Sequence, residues 1–145
     1  MLDRSLIGRE SEPVVHDVER TAIRRFADAL GDPNPLYQDE AVAKSAGYPA
    51  LVAPPTFAAA LTANDRFRHS LDLGTRSILH SEQQLEYARA LVAGDRITVV
   101  SRVADVLERP SASGPMDVIV LEDEARDDKG EVVFRARATL ILRRG

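Results

Sequence analysis

Asp32, Asn34 and Tyr37 stand close together in Gly31-Asp32-Pro33-Asn34-Pro35-Leu36-Tyr37, and two of them carry groups that could move a proton. A carboxylate can act as a base. A phenol, with an ordinary pKa of about 10, is a poor base near neutrality, but it can donate a hydrogen bond or act as an acid. His80, in a polar-rich stretch, is the other titratable candidate. It could be catalytic, could bind substrate, or could simply hydrogen-bond across strands, and strand alternation puts Glu82 and Gln84 on its face. Taken alone, Asp32 has a plainer reading as a turn or capping aspartate, because Asp and Asn favour local side chain to backbone bonds. His16 and His69 read as surface residues. Glu82 and Glu86 read as solvated or paired carboxylates, too far apart along a strand for a tight dyad.

The rest of the composition excludes several kinds of chemistry. The chain has 145 residues, 44% hydrophobic and 29% charged. That is the size of one domain, 1–145, able to bury a core without staples. There is no Cys, so disulfides, thiolate catalysis and Cys-containing metal sites are excluded. The three His are widely spaced and outside any HExxH pattern, so no metal and no cofactor is expected. A net charge of −4 disfavours a nucleic-acid partner, which would require a basic face. MLDRSLIGRE has no apolar core of a signal peptide, and no apolar run is long enough to span a membrane. A soluble cytoplasmic protein is the expectation.

The elements that must hold these residues are helical first and extended afterwards. Residues 13–18 read as a short strand. In 19–30, Ala22, Ile23, Phe26, Ala27 and Leu30 share a helical face, with Arg20, Arg24, Arg25 and Asp28 largely opposite. Gly31 can take the left-handed conformation that ends a helix. Residues 32–37 cannot be regular, because Pro33 and Pro35 remove amide donors and push their predecessors out of the helical region. Residues 39–45 suit a short helix. Pro55 is well placed at the first turn of a helix through TFAAALTAN. Its alanines suit a helix enclosed by other elements.

From residue 78 the period becomes two. Strands are predicted over 78–88, 95–108, 116–126 and 132–143, with turns at 94–95, 109–115 and 127–130. In the last strand Phe134, Ala136, Ala138, Leu140 and Leu142 face one way, and Arg135, Arg137, Thr139 and Arg143 the other. Three long strands in a meander after helices make an α+β domain. One sheet face must cover a helix, and 56–63 is the candidate.

GDPNPLY followed by QDEAVAKSAGYPALVAPPTF resembles the N-terminal MaoC-like dehydratase (FAS1-like dehydratase) domain, a family that includes (R)-specific enoyl-thioester hydratases. His80-Ser81-Glu82-Gln83 through Glu86-Tyr87, Val92-Ala93-Gly94-Asp95 and the closing GEVVFRARATLIL agree, so the resemblance spans about 13–143. It implies a hot-dog fold, an antiparallel sheet wrapped around a central helix, normally working as a dimer of such units. It also implies reversible loss of water from 3-hydroxyacyl thioesters of CoA or acyl carrier protein. Such chemistry needs a base near the α-proton, donors for the thioester oxygen and a proton for the leaving hydroxyl.

In active relatives the motif reads D-x-N-P-x-H, and a His-Gly pair begins the central helix and supplies an amide to the carbonyl. Here Asp32 matches the catalytic Asp and Asn34-Pro35 the N-P, but Tyr37 stands where His is expected. Ala53-Pro54-Pro55-Thr56 replaces the His-Gly segment, and proline has no N–H to offer. The expected site is therefore Asp32 and Tyr37 as catalytic candidates, with Asn34, Thr56, Phe57 and His80 binding substrate. The acyl chain would lie beside 56–63.

Both departures point to a subunit of a hydro-lyase that binds substrate or is incompletely catalytic. It would act on an acyl-CoA or acyl carrier protein thioester, as a homodimer or as a heterodimer with a second hot-dog subunit. The alternatives are a self-sufficient homodimeric hydratase, an acyl-thioester-binding module and a hot-dog thioesterase. Arg66, Arg68 and Arg89 could meet CoA phosphates, but surface arginines are common and carry no specific signal.

Overall fold

The computed structural model describes residues 1–62, 65–73 and 77–143. The period-two region forms four strands: β2 (Ser77–Tyr87), β3 (Arg96–Arg109), β4 (Met116–Arg126) and β5 (Val132–Arg143). A short β1 (Val14–Asp17) precedes them. The sheet order is β1-β3-β4-β5-β2, antiparallel throughout. β3, β4 and β5 are the expected meander. β2 joins the far side of β5, and β1 the free side of β3.

On β5 the alternation holds residue by residue: Phe134, Ala136, Ala138, Leu140 and Leu142 are buried, and Arg135, Arg137 and Arg143 are exposed. Cross-strand pairing carries the inward face across the sheet in ranks. One rank runs Val99, Ala125, Phe134, Tyr87; the next runs Ser101, Asp123, Ala136, Leu85. Phe134 is fully buried in the first rank. Phe134→Ala removes a ring and leaves a cavity, with an expected loss of about 3–5 kcal/mol in chemical denaturation.

The helical elements fill the concave face. α1 (Arg20–Leu30) buries Ile23 and Ala27 and ends at Gly31, whose φ of 66° is the left-handed stop. Leu30, expected on the buried face, is exposed, because the helix outruns its packing surface by one turn. α2 (Glu40–Ser45) starts where the Asp39 carboxylate accepts from the Ala41 amide at 2.9 Å and the Val42 amide at 3.3 Å. Ile23, Ala27, Tyr37, Leu51, Phe57 and Ala58 pack on Ile97, Val99, Ala125 and Phe134. A second cluster sets Leu2, Leu6, Phe67 and Leu71 against Val103, Ile119, Leu121 and Leu140. This curled sheet around helical segments is the hot-dog fold.

The central helix differs from expectation. Within 56–64 there is a 3-10 turn over Phe57–Ala60, and α3 (Asp65–Ser70) follows; residues 63 and 64 lie outside the described residues. Phe57, Ala58 and Leu61 are buried, but Ala60 is exposed, so the alanine run is enclosed on one side only. Pro55 does not open an α-helix. The Ala58 amide donates to no carbonyl of the preceding turn, and Tyr87 intervenes there, as described below.

The two sheet edges are treated differently. Beyond β1, the N-terminal segment continues along β3, with Gly8 N–H on the Val103 carbonyl at 2.9 Å and Ser11 N–H on the Ser101 carbonyl at 2.8 Å. Among the described residues no strand pairs with the outer edge of β2. Ile78 and Leu79 there are each 44% exposed. No helix among the described residues is long and apolar enough to cross a membrane.

Candidate functional site

The segment after α1 is a chain of local turns, as its Asp, Asn and Pro content requires. Asp32 N–H bonds back to the Ala27 carbonyl at 3.1 Å, closing the helix. Asp32 Oδ1 accepts from Asn34 N–H at 3.0 Å, and Asn34 Oδ1 accepts from Leu36 N–H at 3.1 Å. Asn34 thereby caps the 3-10 turn over Pro35–Tyr37. The Arg24 guanidinium donates twice to the Gln38 carbonyl, at 3.1 and 3.2 Å, and the Gln38 amide donates to Asp28 at 2.8 Å. The whole 31–38 segment is thus strapped to α1. Asp32 performs the turn role that its type predicts and keeps its carboxylate half-buried.

Tyr37 is buried, 7% exposed, and turns its hydroxyl towards Asn34 and Asp32. Burial raises its pKa first and the nearby Asp32 charge raises it further; the Asn34 side-chain hydrogen bond pulls it back. The net direction is upward, away from any use as a base. Among the described residues no imidazole hydrogen-bonds either Asp32 or Tyr37.

A second turn lies beside this one. Val52 N–H donates to the Leu36 carbonyl at 3.0 Å and Ala53 N–H to the Leu91 carbonyl at 2.9 Å, so residues 51–53 thread between the two segments. Pro54 and Pro55 follow with no amides. Phe57 N–H is engaged, donating to the Pro54 carbonyl at 2.9 Å. Thr56 is exposed, and among the described residues its amide donates to no protein acceptor. The Phe57 ring meets Phe26 of α1 edge-on, with centroids 5.4 Å apart. Phe57 and Tyr37 lie in one buried cluster. Asp32, Asn34, Tyr37, Thr56 and Phe57 are therefore carried on two turns fastened to the same helix, α1.

His80 is not part of this group. It is exposed and sits opposite Leu140, which belongs to the other hydrophobic cluster. Nor does it share a face with Glu82 and Gln84. The register shifts between His80 and Glu82, so the extra residue reverses the alternation there. His80 follows the inward side with Leu140, whereas Glu82, Gln84 and Glu86 oppose Thr139, Arg137 and Arg135 on the outer side. Glu82 accepts from the Gln84 amide at 2.8 Å. Arg89 is committed to Asp95 at 2.8 Å and Asp127 at 3.4 Å.

Two residues to which the sequence assigned no role stand out. The Tyr87 hydroxyl donates to the Pro55 carbonyl. Asp123, 6% exposed, accepts from the Ser101 hydroxyl on the inward face. Burial raises Asp123 to about 6, against the opposing pull of the Ser101 hydroxyl and the Arg68 charge. An Asp on the inward parity of β4 was the available signal. The apolar run Val118-Ile119-Val120-Leu121 beside it hides which parity faces in.

The family described as FAS1-like, dehydratase domain region matches residues 5–136 of this chain. A UPF0336 protein of Streptomyces avermitilis is 38% identical over 147 residues, covering 98% of this chain and 95% of that one. Among solved structures, the C-terminally truncated HadBC (3R-hydroxyacyl-ACP dehydratase) complex of Mycobacterium tuberculosis contains a similar chain. The two share 30% identity with a TM-score of 0.80, over 94% of this chain and 96% of that one. A MaoC-like dehydratase superimposes with a TM-score of 0.84 at 28% identity, over 95% of this chain and 42% of that one.

Proposed function

The chain belongs to the FAS1-like dehydratase family, and from that premise we propose that it is a subunit of a 3-hydroxyacyl-thioester dehydratase. In this reading it holds the acyl thioester, of CoA or of acyl carrier protein, while a second hot-dog subunit supplies the complete Asp and His pair. The observation that carries the reading is Tyr37. A buried phenol, beside Asn34 and Asp32 and pushed upward in pKa, stands at the position of the expected imidazole. Such a group can donate a hydrogen bond, but it does not remove a proton near neutrality. Asp32 and Tyr37 then line the thioester end, and Asn34, Thr56 and Phe57 contact the substrate. The uncovered β2 edge with Ile78 and Leu79 suits a second subunit, since an open strand edge is a template for pairing. The similar solved chain comes from a dehydratase complex.

The test is hydration of crotonyl-CoA by the purified chain, alone and co-expressed with a hot-dog protein carrying Asp-x-Asn-Pro-x-His. The expected result is no turnover alone and turnover in the complex, lost when Leu79→Lys blocks the β2 edge. Turnover by the chain alone, abolished by Asp32→Asn, would replace the subunit reading with a self-sufficient hydratase. Release of free CoA without hydration would indicate a thioesterase.

A further inference from the structure

The Tyr87 hydroxyl occupies an unusual position. A turn that begins at Pro55 would close with the Ala58 amide on the Pro55 carbonyl, three residues back. That bond is not made. The Pro55 carbonyl accepts from the Tyr87 hydroxyl instead, with the Ala58 amide beside that hydroxyl. One O–H group thus gives its proton to the carbonyl that the turn itself leaves without its amide. Phenylalanine would pack on Phe134 equally well, where the rings sit 5.8 Å apart. The hydroxyl is therefore used for the turn, and an unbonded one in this half-buried place would be unfavourable. The turn so held carries Thr56, whose amide has no acceptor among the described residues, and Phe57, which is anchored on α1. Tyr87 is the last residue of β2, the strand whose outer edge is open.

We propose that Tyr87 is a positioning residue: its hydroxyl holds the 54–58 turn open and sets where Thr56 and Phe57 meet the thioester. The inference rests on the acyl-thioester reading above and adds to it a residue that touches neither substrate nor Asp32. Removing the hydroxyl lets the direct Ala58 to Pro55 bond form, which tightens the turn and displaces Thr56. It also ties the turn to the strand on which the second subunit is proposed to dock.

The experiment follows backbone amide resonances of the full chain during titration with crotonyl-CoA, for the unaltered protein and Tyr87→Phe. In the unaltered protein, Thr56, Phe57 and Ala58 are expected to shift together with Asp32–Tyr37. In Tyr87→Phe the resonances of 56–58 are expected to differ before ligand is added. Affinity should fall roughly two- to tenfold, the scale of one misplaced neutral hydrogen bond, with the thermal midpoint retained. Equal affinity in a folded Tyr87→Phe overturns the inference and leaves the functional reading standing. So do ligand shifts in the unaltered chain that gather at 32–37 and leave 56–58 untouched, a result that does not depend on the variant folding. If crotonyl-CoA shifts no resonance of the unaltered chain, the functional reading falls and this inference with it.

Discussion

Tyr37→His is expected to give the isolated chain hydration of crotonyl-CoA, against none expected of the unaltered chain. A positioned general base contributes about 10²–10⁴ in rate, and imidazole titrates near neutrality whereas the phenol is pushed upward from 10.0. The new side chain would stand beside Asp32, on a turn already strapped to α1 by Arg24 and Gln38. The gain will be incomplete. Pro54 and Pro55 have no amide to offer in the segment where the family resemblance expects the oxyanion donor, and one such donor is worth roughly 10²–10³. Tyr37→His alone should therefore reach on the order of ten- to a hundredfold above background, and Pro55→Gly should add to it. A stopped assay on the purified variants, with circular dichroism to confirm folding, checks this. A folded Tyr37→His with no activity in either background would show that Asp32 and residue 37 do not face the reacting carbons.

The second large effect concerns stability. Asp123 titrates at about 6 in the folded chain against an ordinary 3.8, because burial disfavours its charge. The folded state thus keeps a proton that the unfolded state releases. This contribution is fully present below pH 3.8 and is lost as pH rises through about 6. Across that window the protein should lose roughly 2–3 kcal/mol on account of this one group. Asp123→Asn keeps an oxygen for the Ser101 hydroxyl to bond but cannot ionise. Denaturant midpoints measured between about pH 4 and pH 7 should fall for the unaltered chain, more gently for the variant, so that the difference between them grows with pH. Parallel slopes would mean that Asp123 is not the titrating group.

The sheet was the most legible part of the molecule. The strands over 116–126 and 132–143 have the bounds that alternation and turn residues predict, because a period of two, once one face is buried, admits a single register. The break after α1 was equally plain, since Gly31, Pro33 and Pro35 act through their own backbones. The face of His80 was not legible. A bulge is a property of two strands together, and nothing in Ser81 announces that it is the extra residue. The 56–64 segment was misread for a similar reason. Pro55 and three alanines favour a helix locally, but a hydroxyl arriving from residue 87 takes the Pro55 carbonyl that a helical first turn would use.

What the sequence determined by itself was therefore local and chemical. It determined the turn that carries Asp32, the phenol at 37, the prolines at 54 and 55, and the strands whose pattern repeats along their length. The tertiary structure decided which of these meet. It buried Tyr37 against Asn34, kept His80 away from both, placed a carboxylate among apolar side chains and put Tyr87 into the turn before Phe57. Backbone conformation depends mainly on a residue and its neighbours in the chain. Burial and side-chain partnership depend on groups brought together from distant positions.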